Sequence, residues 1–183
     1  MKNKSLIITG ILFVLVLGIA LLLYPTLSEK AAEAETTTEQ NVTLSDTVQY
    51  QKYKDIKIFD KDGNEIMLSD LSGKPIILNF WATWCGYCIQ EMPDFEKAYK
   101  ENKDEIQFLI INTDDGIEKG EKFIKNNGYS FPTYYDLEYN AAITYGISGI
   151  PRTIAIDKDG NIRYNRSGML TAEALEGIIN AIK

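Results

Sequence analysis

A continuous apolar run that leads into two closely spaced cysteines is the feature that most constrains the fold of this chain. Residues 75–81 (PIILNFW) follow Gly73-Lys74 and contain a single polar side chain, Asn79. An apolar run of this length, bounded by a turn signal, predicts a strand that is buried on both faces. Such a strand lies inside a sheet with other elements packed above and below it, so the expected fold class is α/β.

The rest of the hydrophobic pattern predicts a mixed central sheet flanked by helices on both faces, in the order β-β-β-α-β-α-(β-α)-β-β-α. The sequence DKDGN occurs twice, at residues 60–64 and 157–161, and predicts two hairpin turns, the first of them in an N-terminal hairpin. Strands are expected at residues 56–59, 65–68, 75–81, 106–112, 133–135, 153–156 and 162–165. Helices are expected at residues 85–102 (with a kink at Pro93), 117–126 and 139–145, and from Thr171 onward.

The N-terminal residues 1–27 differ from the rest of the chain in being almost entirely apolar. Leu6–Tyr24 runs for 19 residues without a charge, and a helix of that length spans roughly 28 Å, close to the hydrocarbon core of a bilayer. Lys2 and Lys4 precede the run, which predicts a cytoplasmic N-terminus. We expect an uncleaved single-pass anchor in a cell membrane; a cleaved signal peptide is the alternative, and both place the following domain on the extracytoplasmic side.

Residues 28–50 are polar, acidic and rich in Thr, which predicts a flexible linker. Residues 51–183 then remain as one domain, long enough for a compact core. The whole chain has a net charge of −7 and no basic cluster, so a nucleic-acid partner is not expected. The chain also contains no His, which removes Ser-His-Asp and Cys-His catalysis and the commonest transition-metal ligand.

The only two cysteines, Cys85 and Cys88, come at the start of a predicted helix, directly after the buried strand. A thiolate in the first turn of a helix is favoured by free backbone N–H groups and by the helix dipole. The two intervening residues bring the second sulfur within reach of the first, so a disulfide can close and reopen. A zinc site would lack further Cys or His ligands, and no ligand series follows Asp114-Asp115 to suggest calcium, so no metal site is predicted. A purely structural bridge and inert core cysteines remain as alternatives.

These motifs resemble those of the thioredoxin superfamily. The resemblance rests on FWATWCGYC (residues 80–88), on Pro93 five residues after Cys88, and on Ile150-Pro151 directly before a predicted strand. It narrows to the membrane-anchored TlpA/ResA-like subfamily through residues 68–81, the Glu91-Met92-Pro93 sequence and an inserted segment at residues 131–145. The resemblance covers residues 51–183 and implies an extracytoplasmic, thioredoxin-like thiol-disulfide oxidoreductase of bacterial type, whose dithiol needs no separate cofactor.

The resemblance also implies catalytic roles. Cys85 is expected to attack a substrate disulfide and Cys88 to resolve the mixed disulfide. Cytosolic thioredoxins carry a buried Asp six residues before the first Cys, but this chain has Asn79 there, which cannot exchange a proton near neutral pH. Glu91, about one helical turn after Cys88, then becomes the expected acid–base group. The alternative for Glu91 is an ordinary solvated charge on the helix.

Substrate binding is expected around the motif. Trp84, Gly86 and Tyr87 are expected at its rim, whereas Trp81 is expected in the core. By the same resemblance, Ile150 and a cis Pro151 offer backbone to which a substrate strand can pair. Arg152 either alters the charge of this groove or is simply solvated, and the sequence does not decide between the two.

The function implied is the reduction of disulfides in exported proteins, apocytochrome c or others, with electrons supplied by a membrane thiol-disulfide carrier. An oxidase or isomerase is the alternative. The Gly86-Tyr87 pair, which lacks the His of strongly oxidising relatives, favours the reductant. A non-enzymatic module with a structural bridge is a third possibility.

Overall fold

A computed structural model of the protein describes residues 50–113 and 115–183. The expected anchor at Leu6–Tyr24 and the expected linker up to residue 49 lie outside the described residues, as does Asp114. Within the described part of the chain, no helix combines the length and the apolar character needed to cross a membrane.

A seven-stranded mixed sheet forms the centre of the domain, in the order β2-β1-β5-β4-β3-β6-β7. Strands β3, β4 and β5 run parallel to one another, and the remaining neighbours pair antiparallel. The predicted α/β class with a mixed sheet is therefore confirmed. The strands are β1 (Lys57–Phe59), β2 (Glu65–Met67), β3 (Ile76–Trp81), β4 (Gln107–Asn112), β5 (Thr133–Tyr135), β6 (Arg152–Ile156) and β7 (Ile162–Ser167).

Four α-helices accompany the described strands, namely α1 (Gly86–Asn102), α2 (Ile117–Asn127), α3 (Asn140–Thr144) and α4 (Ala172–Ile182). Pro93 lies within α1 without ending it. Leu68, expected at the end of a strand, instead opens a short 3₁₀ helix that runs to Leu71. Strand β7 continues two residues beyond the predicted Asn165, because Ser167 still pairs with Arg152 of β6.

The two faces of the sheet are both covered by apolar packing, as the unbroken burial of β3 requires. On the face that we call the dithiol face, residues of the central strands pack against α1, α2 and α4: Ile77, Trp81, Phe108, Ile110 and Ala155. On the opposite face, alternate residues of the same strands pack against Ile56, Leu68 and Ala141 of α3: Ile76, Leu78, Phe80, Leu109, Ile111 and Ile154.

The segments that contain the two cysteines and Pro151 lie at one edge of the sheet. The parallel strands β3, β4 and β5 all end at this edge, and β6 begins there because Arg152 pairs with Phe80 near the end of β3. The chain leaves β3 to reach β4 on one side and returns through β6 on the other. Crevices at such a switch in strand order are the usual ligand sites of α/β sheets.

Candidate active site

A disulfide joins Cys85 and Cys88 at the start of α1, with an S–S distance of 2.05 Å. Cys85 is the N-cap residue of the helix rather than its first helical residue, and its Sγ accepts a hydrogen bond from the Cys88 N–H at 3.2 Å. One N–H group of the first helical turn, that of Cys88, therefore points toward the Cys85 sulfur. After reduction, the same arrangement stabilises a thiolate at this position.

The two sulfur-bearing residues differ in access to solvent. Cys85 is 6% exposed and Cys88 only 1% exposed, which makes Cys85 the more accessible of the pair. Trp84 and Tyr87 stand out beside them, at 62% and 66% exposure. Trp81 is fully buried, as expected for a core residue. The buried disulfide is thus flanked by two exposed aromatic side chains, a residue type that is enriched in protein–protein interfaces.

The Ile150–Pro151 peptide bond is cis, as the resemblance implied. Pro151 directly precedes β6, so the register with β3 places it opposite Trp81, at the edge of the sheet where α1 begins. Ile150 packs against the core cluster that contains both cysteines. The proline loop and the dithiol thus lie at the same edge of the sheet.

Glu91 is buried, with 2% exposure, although it carries a carboxyl group. Its Oε1 accepts a hydrogen bond from Asn79 Nδ2 at 2.8 Å, and its Oε2 accepts one from the Leu170 N–H at 2.8 Å. Burial raises the pKa of Glu91 above its ordinary value, and these two hydrogen bonds oppose the rise only in part. Glu91 is therefore not a solvated helix charge.

The residues around Glu91 come from three distant parts of the chain. Asn79 lies on β3, and its amide also donates to Thr153 Oγ1 of β6 at 3.2 Å. Leu170 belongs to the loop between β7 and α4, a loop in which the Gly168 N–H also donates to the Pro151 carbonyl at 2.9 Å. Sequence reasoning found Asn79 and Glu91 but missed Thr153 and Leu170, because a strand register and a backbone N–H leave no local signal in the sequence.

Arg152 lies away from the dithiol face. Its Nε donates to Asn165 Oδ1 at 2.8 Å and its Nη1 to Ser167 Oγ at 3.0 Å, both on β7. Because Arg152 is paired with Phe80, its side chain shares the sheet face opposite to Glu91. The guanidinium group thus links β6 to β7 through side-chain hydrogen bonds.

Among residues 50–113 and 115–183, no group of three or more acidic or Cys side chains is arranged to hold a metal ion. The disulfide is the redox group of the site, and α1 also carries the buried Glu91 carboxyl, whose pKa is raised by burial. This combination suits thiol-disulfide exchange, which needs a nucleophilic sulfur, a resolving sulfur and a place for a proton.

Comparison with known proteins agrees with this chemistry. Residues 49–165 match the model of the AhpC/TSA family. The thiol-disulfide oxidoreductase ResA of Geobacillus kaustophilus is 31% identical, in an alignment that covers 100% of this chain and 98% of that protein.

Two solved structures share the fold. A candidate thiol-disulfide oxidoreductase from Bacteroides vulgatus superposes with a TM-score of 0.66 and 32% identity, over 73% of this chain and 95% of that one. StoA from Bacillus subtilis superposes with a TM-score of 0.60 and 27% identity, over 69% of this chain and 96% of that one. With its Cys85–Cys88 pair at the start of α1, the chain belongs to the AhpC/TSA family of the thioredoxin fold and is a thiol-disulfide oxidoreductase.

Proposed function

We propose that this enzyme reduces disulfides in exported proteins on the extracytoplasmic side of a cell membrane. Support for the location comes from the apolar run Leu6–Tyr24 with its preceding lysines, which predicts a single-pass anchor with the N-terminus in the cytoplasm. The full-length similarity to ResA of Geobacillus kaustophilus includes this N-terminal part. The observation that carries the chemical proposal is the buried Glu91 carboxyl, one helical turn beyond Cys88.

The reaction proceeds in two exchanges. The Cys85 thiolate attacks one sulfur of the substrate disulfide, and the S–S bond breaks as the other substrate sulfur leaves as a thiolate. Cys88 then loses its proton and attacks the Cys85 sulfur of the mixed disulfide. This second attack forms the Cys85–Cys88 disulfide and releases the second substrate thiolate, so that two electrons pass from the dithiol to the substrate.

Glu91 is proposed to handle the proton of the second exchange. Asn79 has no exchangeable proton near neutral pH, and the chain has no His. A carboxyl whose pKa is raised by burial exchanges protons closer to neutrality than an exposed carboxyl does. The Asn79 and Leu170 hydrogen bonds hold its two oxygens in place during the exchange.

The partners follow from the cycle. After each turnover the Cys85–Cys88 disulfide must be reduced again, and we propose a membrane thiol-disulfide carrier as the electron donor and no separate cofactor. Substrates are exported proteins with disulfides, among them apocytochrome c, and we propose that they contact Trp84, Gly86 and Tyr87 while pairing with the backbone at Ile150 and Pro151. The Trp84 and Tyr87 side chains are 62% and 66% exposed, and this exposure beside the dithiol supports their contact with a protein partner.

The redox potential of the full-length protein tests the direction of the reaction. Equilibration with glutathione should give a value near that of thioredoxin, about −270 mV, or lower. A value near about −120 mV, that of a strong oxidant, would contradict the reductant proposal and support an oxidase.

A trapping experiment tests the substrate class. The full-length Cys88→Ala variant should accumulate mixed disulfides with exported proteins through Cys85, and mass spectrometry then identifies them. The Cys85→Ala variant is the matched control and should trap nothing. If the Cys88→Ala variant trapped no exported protein, both the nucleophile assignment and the substrate class would be wrong.

The location is tested on cell membranes. The protein should stay with the membrane fraction after a high-salt wash, because an apolar segment and not charge holds it. A mature N-terminus found by mass spectrometry within residues 28–34 would instead establish cleavage and release.

A further inference from the structure

The short segment Ala82–Trp84 joins β3 to α1 and so determines where Cys85 lies. Within the segment, the Cys85 N–H donates to the Ala82 carbonyl at 3.1 Å. Asp115, in the loop between β4 and α2, also contacts this segment. Asp115 Oδ2 accepts the Thr83 N–H at 2.5 Å, and Oδ1 accepts the Thr83 hydroxyl at 2.8 Å. One carboxylate therefore binds both the backbone and the side chain of the residue two positions before the nucleophile.

Asp115 is itself firmly held. Its side chain is 1% exposed, and its charge is paired with the Lys119 ammonium group. Asn112 at the end of β4 holds it from both sides, with Nδ2 donating to Asp115 Oδ2 at 3.1 Å and Oδ1 accepting the Asp115 N–H at 2.9 Å. The carboxylate thus connects the end of a central strand to the segment that begins the dithiol helix.

Asp115 cannot share the proton-handling role of Glu91. Burial alone would raise the pKa of Asp115. The hydrogen bonds from Lys119, Thr83 and Asn112 outweigh this effect and lower the pKa to about 2. The group is therefore an anion, and only an acceptor, at every pH at which thiols exchange. A permanently ionised acceptor with several donors fixes geometry and exchanges no protons.

We propose that Asp115 is a positioning residue for the known reaction, which acts through Thr83 to hold the segment before Cys85 in the orientation that the attacking sulfur needs. The proposal rests on the thiol-disulfide oxidoreductase activity and not on any particular substrate. Misplacement of a nucleophile lowers the rate of the chemical step more than it weakens substrate binding. Loss of the Asp115–Thr83 contact should therefore lower kcat and leave KM nearly unchanged.

The Thr83→Val variant of the full-length chain is the sharpest test, because Val keeps the size and the backbone N–H of Thr83 and removes only the hydroxyl. With a fluorogenic glutathione disulfide as substrate and dithiothreitol as electron source, we expect kcat to fall about tenfold and KM to stay within about twofold. Thr83→Ser restores the hydroxyl and should restore kcat. Asp115→Asn should lower kcat at least as much as Thr83→Val.

A matched control separates positioning from a general loss of stability. Asp157 also accepts backbone N–H groups in a turn, from Asp159 and Asn161, but it follows β6 at the opposite edge of the sheet. Asp157→Asn should lower the thermal unfolding midpoint and leave kcat unchanged. The proposal is overturned if folded Thr83→Val keeps the wild-type kcat, if Thr83→Ser fails to restore it, or if KM rises while kcat does not change. Thr83→Val decides the question even if Asp115→Asn does not fold.

Discussion

Two buried carboxyl groups on the same helix, Glu91 and Glu96, have pKa values that are shifted in opposite directions. They lie five positions apart on α1 and both are nearly inaccessible to solvent. Glu91 accepts hydrogen bonds from Asn79 and Leu170. Glu96 accepts hydrogen bonds from the N–H groups of Ser130 and Phe131 and from the Ser130 hydroxyl, and it pairs with Lys100 at 2.9 Å.

The difference shows that the supply of hydrogen-bond donors, and not burial alone, decides the direction in which the pKa of a buried carboxyl is shifted. Burial raises the pKa of Glu91, and its two donors compensate only in part, so the net shift is upward. Burial acts in the same direction on Glu96, but the Ser130, Lys100 and Phe131 donors outweigh it, so the net shift is downward. Glu96 thus ties α1 to the loop before β5 as an anion, whereas the Glu91 carboxyl has a raised pKa, as the proton exchange that we propose for it requires.

The largest expected effect concerns catalysis. Glu91→Gln should lower kcat for disulfide reduction by about 100-fold near neutral pH, because the variant removes the proposed proton acceptor for Cys88. Glu96→Gln is the matched control on the same helix and should change kcat by less than about twofold. Turnover of the full-length variants measured against pH checks both expectations, and equal losses in the two variants would remove the functional distinction.

The same Glu91→Gln variant should also change the reactivity of Cys85. Loss of a nearby negative charge favours the thiolate, so reduced Cys85 should be alkylated by iodoacetamide at lower pH than in the wild type. Superimposable alkylation curves together with unchanged turnover would leave Glu91 without a catalytic role.

The second prediction concerns stability, for which Glu96 should matter more than Glu91. Glu96→Gln should lower the free energy of unfolding by about 2–3 kcal/mol at neutral pH, because Ser130 and Phe131 lose a charged acceptor. Glu91→Gln should cost less, since the neutral amide avoids burying a charge beside only two donors. Urea unfolding of the oxidised proteins measures both values. A larger loss for Glu91→Gln would mean that Glu91 is the main structural anion.

The third prediction separates the residues by the pH dependence of stability. The folded state raises the pKa of Glu91 above 4.5, so the free energy of unfolding should fall as pH rises from 4.5 through the raised pKa. The folded state lowers the pKa of Glu96 below 4.5, so stability should fall as pH drops through that lowered pKa. Each unit of pKa difference corresponds to about 1.4 kcal/mol.

Urea titrations across the acid and neutral range test these slopes. Glu91→Gln should reduce the loss of unfolding free energy as the pH rises above 4.5. Glu96→Gln should reduce the loss of unfolding free energy as the pH falls below 4.5. If either variant instead reduced the loss of stability in the other pH range, the direction that we give for the pKa shift of that residue would be wrong.

The smallest effect is expected at Lys100. Its side chain is 60% exposed, so its ion pair with Glu96 is screened by solvent. Lys100→Met should lower the free energy of unfolding by less than about 1 kcal/mol. Ser130→Ala, which removes the hydroxyl donor from the same carboxylate, should cost more. If Lys100→Met proved the costlier of the two, the ion pair and not the loop would hold Glu96.

The sequence predicted the elements that depend on local patterns. The buried strand ending at Trp81, both DKDGN turns and the helix opening at the cysteines follow from hydrophobic period and turn chemistry. Cis Pro151 and the placement of Glu91 followed from family resemblance. The contacts of Glu96 and Asp115 could not be predicted, because their donors lie in loops whose approach depends on the packing of whole elements. Nothing in the sequence predicts the burial of Glu96, since a helical Glu followed directly by a Lys is usually solvated.

The unequal exposure of the two cysteines affects the relative rates of the exchange steps. Cys88 is screened from solvent, so thiols and disulfides in the surroundings meet the enzyme through Cys85. In a mixed disulfide, Cys88 lies next to the bond that it must attack, at an effective concentration that no free thiol in the surroundings matches. In the proposed cycle, attack by Cys88 on the mixed disulfide should therefore be faster than attack by an outside thiol. An outside thiol that attacked the mixed disulfide first would itself supply an electron to the substrate, so rapid attack by Cys88 ensures that both electrons come from the dithiol of the enzyme.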